Sequence, residues 1–235
     1  MRYFNRTIFT KIGNIIKYHN FNRIDFLDYQ QLIEKHYETW SEINHHTRNG
    51  LEIGISKLGN RPAMILETGT SAWGCDSSRL FDQYVRNFGG DFISVDLRAE
   101  ASEWLKYEVS PRSKFYVGDS VSFLNLEFSK MEHHKIDLCY LDSFDLDWND
   151  PLPSANHGYL EFVSIKEFLK KGSILIIDDS PSDLSYIPEE FHKIAMEFYK
   201  NFGVFPGKGS FIQKEIINAS NASILYHGWN LVIQF

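Results

Sequence analysis

The chain is short of cysteine, of basic charge and of long apolar runs, and each shortage closes off a class of protein. Cys75 and Cys139 are the only two cysteines in 235 residues. Two are too few for a disulfide framework or a cysteine zinc cluster, so they read as buried thiols in a reducing compartment. Lys and Arg number 24 against 31 Asp and Glu, a net charge of −7. With no basic cluster around the chemistry, a nucleic-acid partner lacks the Lys and Arg that phosphate contacts require. No stretch reaches the roughly 18 uncharged apolar residues of a membrane-spanning helix, and MRYFNRTIFTKIG lacks the apolar core of a secretory signal. The expectation is a cytoplasmic chain whose sequons at Asn5, Asn218 and Asn221 are chance.

Material for a core is plentiful: 43% of residues are hydrophobic, with 19 Phe, 12 Tyr and 5 Trp. One globular domain with an N-terminal helical extension, residues 1–61 and then 62–235, accounts for the pattern. Residues 1–24 carry Arg2, Arg6, Lys11, Lys17 and Arg23 and no acid. Phe4, Ile8, Ile12, Ile15 and Ile16 recur there at helical spacing, which suits either an arm packed on its own domain or a basic amphipathic helix on a membrane surface or a partner subunit, including a second copy in a homodimer. From Asp25 to about Leu58 a second helical stretch places Phe26, Tyr29, Leu32, Ile33, Tyr37 and Trp40 on one face, beside the site.

From Pro62 short apolar runs alternate with amphipathic segments: AMILE, DFISVD, KFYVGD, KIDLCYLD and SILIIDD. That rhythm predicts a parallel sheet with helices on both faces, closed by a hairpin ILYHGWNLVIQF turning at His227–Asn230. A helix around Pro188–Phe202 and an ambiguous FIQKEIINA precede the hairpin. Every one of the five runs ends in a carboxylate, and ligands of such sheets bind outside the carboxyl ends of the strands. Glu67, Asp96, Asp119, Asp142, Asp178 and Asp179 are therefore expected along one rim.

The first strand runs into Glu67, Thr68, Gly69, Thr70, Ser71, Ala72, Trp73 and Gly74, ahead of a helix opening near Asp76 and Ser77. Glycines allow close backbone approach, and free N–H groups at a helix start bind anionic oxygens. The G-x-G-x-x-G fingerprint of nicotinamide dinucleotide sites is absent. Asp96, roughly 20 residues past Gly74, suits both ribose hydroxyls. Asp119 or Ser120 suits an adenine amine. A pyrophosphate would be repelled by so many carboxylates, whereas the sulfonium and ammonium of S-adenosylmethionine match them.

The order ILETGTSAWG, SVDL, FYVGDS, CYLDS and IIDDS resembles the class I S-adenosylmethionine-dependent methyltransferases over roughly Pro62 to Phe235. The resemblance implies their Rossmann-like fold, with a mainly parallel seven-stranded sheet, and implies cofactor contacts at Glu67, Gly69, Thr70, Ser71, Gly74, Ser77, Asp96, Asp119, Ser120 and Asp142. The glycine loop departs from the usual pattern, with Ser71 where a second glycine is common.

Asp142, Asp178 and Asp179 converge from neighbouring strand ends. Like charges so placed call for a shared proton, a basic partner or a divalent cation, and the cation is preferred. All-oxygen donors suit Mg²⁺, with Mn²⁺ or Ca²⁺ as substitutes, and Ser143 and Asn156 are further oxygen donors. This set resembles the divalent-metal-dependent O-methyltransferases, both the catechol type and the sugar-modifying macrocin and mycinamicin type. That implies a metal which chelates two acceptor oxygens and lowers the pKa of a hydroxyl. Candidate bases are Asp145, Asp147 and His157; the sugar-modifying relatives carry their base three residues past the first ligand, where Asp145 stands. His45–His46 and His133–His134 read as solvated. Trp73, Trp148 and Asn149, the latter two in a Trp148–Asn156 loop, suit stacking on a sugar or phenol. Lys208 in its Gly-Lys-Gly turn reads as exposed, contact with an anionic acceptor group being the other reading. A polar insertion PLPSANHGYLEF and the long N-terminal helices favour a sugar or glycan acceptor over a catechol.

Overall fold

Runs of Ile, Leu, Val and Tyr too short for a helix, and bounded by turn residues, become strands. In the computed structural model, which describes residues 28–70, 75–100, 109–131, 135–217 and 219–235, these are β1 (Ala63–Thr68), β2 (Gly90–Asp96), β3 (Ser113–Val117), β4 (Ile136–Leu141) and β5 (Leu169–Ile177). The hairpin of β6 (Ser223–His227) and β7 (Leu231–Gln234) completes a seven-stranded sheet in the order β3-β2-β1-β4-β5-β7-β6. β1 to β5 pair in parallel, and β7 enters antiparallel beside β5. β1 and β4 are buried at every position, as central strands covered on both faces must be. Register matters most for the site: Thr68 pairs with both Val95 and Leu141, and Leu141 with Ile177. The strands therefore end level, and Gly69, Asp96, Asp142 and Asp178 share one rim.

Helices α1 (Tyr29–Thr39), α2 (Arg48–Leu58) and α3 (Ser77–Phe88) cover one face. Leu32, Tyr37, Ile55 and Phe81 join Ile65, Leu138 and Ile176 in one apolar cluster. On the other face α4 (Ser120–Leu126), α5 (Leu152–Ile165) and α7 (Ser210–Ile216) supply Phe123, Phe162 and Ile212 against Leu66, Cys139 and Ile177. Between α5 and α7 lies α6 (His192–Phe202). Both cysteines are free and buried.

Three sequence readings change. The stretch from Asp25 to Leu58 is two helices, the first opened by a reciprocal cap between Asp28 and Gln31 and ended at Trp40. FIQKEIINA resolves into a helix, α7. PLPSANH is helical and not a loop: Pro151 and Pro153 sit at the start of α5, where a missing N–H costs nothing. The basic segment 1–24, Phe26, Ser71, Trp73, Gly74, His133, His134 and the sequons at Asn5 and Asn218 lie outside the described residues. Among the described residues no helix is long and apolar enough to cross a membrane.

Candidate functional site

The turn after β1 carries the first half of the site. Gly69 has φ +86, and a Cβ there would stand 2.1 Å from the carbonyl oxygen of Asp142, so glycine is required by the neighbouring strand end itself. Asp96, 6% exposed, accepts from the Arg98 backbone at 2.7 Å and from its guanidinium at 3.0 and 2.8 Å. Asp119 caps α4 through the Ser122 N–H at 2.8 Å, and hydrogen bonds from Ser122 hold its carboxyl below the usual range. These acids flank a cavity that also meets Leu97, Ser120, Phe144 and His157. Leu97 and Phe144 are exposed apolar side chains at its mouth, 71% and 42% accessible.

Three of the expected cofactor residues have buried, hydrogen-bonded side chains. Glu67 is sealed from solvent and accepts hydrogen bonds from Ser77 at 2.6 Å, Ser78 at 2.5 Å and Ser94 at 2.6 Å. Burial outweighs the three hydroxyls and pushes its carboxyl up to about 8. Thr70 is likewise buried, its Oγ1 2.8 Å from the Ser94 hydroxyl. The side chains of Glu67, Thr70 and Ser77 thus tie β1, β2 and α3 together.

Asp142, Asp178 and Asp179 do converge, and the residue that meets them is one the sequence reading set on the surface. Lys208 is 2% exposed, with Nζ 2.5 Å from Asp142 Oδ1 and 3.0 Å from Asp179 Oδ2. Burial works against its charge, but Asp142 and Asp179 overcome it and hold the ammonium above its ordinary pKa. Asp178 accepts from Asn230 Nδ2 at 2.6 Å. Burial, then Asp142 and Asp179, drive its carboxyl well above the usual range. Asp142 itself is raised to about 6, chiefly by burial.

The expected Mg²⁺, with Mn²⁺ or Ca²⁺ as substitutes, does not fit this donor set. The ammonium already occupies the space between Asp142 and Asp179, and Asp178 Oδ1 is bound to Asn230. A divalent ion about 4 Å from a fixed ammonium meets a repulsion on the order of 8 kcal/mol at an effective dielectric constant of about 20. Among the described residues no group of three or more His, Cys, Asp or Glu is arranged to hold a metal ion. Ser143 donates to Glu161 at 2.6 Å, and Asn156 is exposed on α5, so neither adds an oxygen to the cluster.

The candidate bases disperse. His157 Nε2 lies 3.0 Å from Ser120 Oγ and 3.1 Å from Ser143 Oγ, at the cavity beside Asp119. Burial lowers its pKa, but Glu161 at 3.5 Å more than compensates and raises it. Asp145 is exposed near Arg98, and Asp147 accepts from the Asn149 backbone at 2.9 Å within its own turn. His46 is exposed, as read from the sequence, and His45 is half-buried; both belong to an aromatic wall. His46 stacks on His45 at 4.3 Å and meets Trp229 at 4.4 Å; Trp148 lies 6.4 Å from Trp229 and 6.2 Å from Phe191. Burial lowers the pKa of His46, against the charges of Asp179 and Glu42, which raise it. Sequence reading set Lys208 on the surface and did not single out Asn230 or Trp229 as site residues. The paired glycines around Lys208 were the available signal.

No family model and no curated protein matches the chain. Solved structures do. CalS11, a TDP-rhamnose 3'-O-methyltransferase of calicheamicin biosynthesis, superposes with TM-score 0.52 and 16% identity over 88% of this chain and 92% of that one. An O-methyltransferase from Bacillus cereus in complex with SAH gives 0.52 and 12% over 88% and 90%. The SAH-bound Podospora anserina methyltransferase PaMTH1 gives 0.51 and 12% over 87% of each chain. At such identities the likeness is one of fold: this chain has the class I, Rossmann-like methyltransferase fold.

Proposed function

We propose that the protein transfers the methyl group of S-adenosyl-L-methionine to a hydroxyl of a small, ring-bearing acceptor, a sugar or glycan unit. The observation that carries the reading is the level rim on which Gly69, Asp96 and Asp119 stand beside the Asp142–Asp179–Lys208 cluster. A cofactor site and a charged acceptor site then share the ends of adjacent strands. Asp96 offers its carboxylate to the ribose hydroxyls, Leu97 and Phe144 enclose the adenine ring, and Asp119 or Ser120 meets its amine. The turn at Ser71 and Gly74 is the further proposed contact. Three solved methyltransferases share the fold, and the rhamnosyl substrate named for one of them favours the sugar reading.

In the transfer the acceptor oxygen attacks the methyl carbon in line with the sulfonium; the C–S bond breaks, the C–O bond forms, and the hydroxyl proton leaves. His157, at the cavity beside Asp119, and His46, whose ring meets Trp229 at 4.4 Å on the aromatic wall, are the candidate acceptors of that proton. The aromatic wall of Trp148, Phe191 and Trp229 offers stacking surface for the acceptor ring.

Calorimetry with S-adenosylhomocysteine and with NAD tests the cofactor. Binding of the thioether and not of NAD is expected, and the reverse overturns the reading. A screen of labelled methyl transfer to monosaccharides, oligosaccharides and catechols tests the acceptor. Labelling confined to catechols replaces the sugar by a catechol-type substrate, and thioether binding with no labelling leaves a non-catalytic binding module.

A further inference from the structure

We propose that Lys208 is the permanent cation of this site, standing where a divalent ion would otherwise bridge the strand-end carboxylates. The protein then binds no metal at Asp142, Asp178 and Asp179, and removal of Lys208 creates a metal site. The consequence for methyl transfer rests on the function proposed above; the metal-binding claim does not.

The lysine is built in rather than swung in. Its backbone N–H donates to Asp179 O at 3.0 Å, and the next N–H, from Gly209, donates to Ser180 Oγ at 2.9 Å. Its neighbours leave no room for a side chain: a Cβ on Gly207 would stand 2.3 Å from Asp179 O, and one on Gly158 of α5 would stand 2.4 Å from Lys208 O. The turn is thus clamped between the end of β5 and α5. Asp179 is held at φ +43, a left-handed conformation costly for a residue with a side chain, and this turns its carboxylate to the same ammonium. Gly-Lys-Gly is therefore a seat that delivers one positive charge into a pair of carboxylates.

An ammonium and a divalent ion do different chemistry in this place. Lys208 neutralises the rim and fixes Asp142 and Asp179, but a buried ammonium with two carboxylate partners does not chelate a pair of acceptor oxygens. The acceptor consequently needs only one correctly placed hydroxyl, with no requirement for a vicinal diol.

The test is Mn²⁺ titration of the full chain, read by the paramagnetic resonance of free Mn²⁺ and by thermal melting. Wild type is expected to hold no Mn²⁺ at up to millimolar concentration. Lys208→Ala, which removes the ammonium from between Asp142 and Asp179 and leaves their charge uncompensated, is expected to bind one equivalent at least 100-fold more tightly than wild type and to gain melting temperature on adding it. Asp179→Asn in the Lys208→Ala background is expected to lose that binding. One equivalent of Mn²⁺ on wild type, abolished by Asp179→Asn, overturns the proposal, as does a folded Lys208→Ala protein that takes up none. If Lys208→Ala does not fold even with Mn²⁺ present, the wild-type titration decides by itself. None of these measurements involves the cofactor, so failure to bind S-adenosylhomocysteine would sink the methyltransferase reading and leave this one standing.

Discussion

The Cβ that Gly69 lacks would lie 2.1 Å from the carbonyl oxygen of Asp142. The turn after β1 and the first residue of the carboxylate cluster are therefore in direct backbone contact. Gly69→Ala adds a methyl group into backbone and imposes it at φ +86. The expected cost is roughly 2–4 kcal/mol of stability, with loss of S-adenosylhomocysteine binding in whatever protein still folds. Thermal melting and calorimetry on the variant check both. Unchanged melting would show that the two strand ends are free of each other.

Asp96→Asn is expected to separate cofactor affinity from stability. The carboxylate bonds to Arg98, whose side chain is 54% exposed, so the pair stabilises the fold by no more than about 1 kcal/mol. Hydrogen bonds from ribose to a charged acceptor contribute about 1.5–3 kcal/mol. Affinity for S-adenosylhomocysteine should fall roughly 10- to 100-fold while the melting temperature stays nearly constant. Equal affinity in the two proteins would remove Asp96 from the ribose.

The sheet was legible because its signal is local: five apolar runs, each closed by an acid or a turn, report burial and chain direction together. The rim followed from the direction alone. Helix limits were less legible where proline was taken for a loop signal, as at Pro151 and Pro153, although the first turn of a helix accommodates it. The charge balance of the site was the least legible part. Lys208 lies 66 positions from Asp142 along the chain, and no periodicity links a glycine turn to the carboxylates it will neutralise. Three acids at strand ends looked like a metal site because the compensating charge was invisible until the chain folded back.

Glu67 predicts a pH dependence of stability. Its folded pKa of about 8 stands above its ordinary value of 4.5. Below about pH 4.5 both folded and unfolded chains hold the proton and the contribution to stability is complete. Between the two values only the folded chain holds it, so folding takes up a proton and stability declines as pH rises, until the loss levels off above pH 8. The loss is on the order of a few kcal/mol. Glu67→Gln cannot ionise and keeps both an acceptor and a donor for Ser77, Ser78 and Ser94. Urea unfolding at pH 5 and pH 8.5 should show the variant gaining on wild type at the higher pH, and parallel behaviour at both would remove Glu67 as the source.

Trp148→Ala is expected to act on the acceptor alone. Trp148 is half-buried, near Phe191 at 6.2 Å and Trp229 at 6.4 Å, on the aromatic wall and away from the cavity that meets Asp96 and Asp119. Removing the indole takes away stacking surface from a ring-bearing acceptor, an interaction of about 1 kcal/mol or more. It leaves the Lys208–Asp142 pair and the adenosine contacts in place. The acceptor KM should rise about 5- to 20-fold, while affinity for S-adenosylhomocysteine stays at the wild-type value and kcat falls less than KM rises. A loss confined to kcat would mean that Trp148 orders the reacting groups rather than holding the acceptor. A loss of thioether affinity would mean that the wall belongs to the cofactor, and that the acceptor enters from the side of His157.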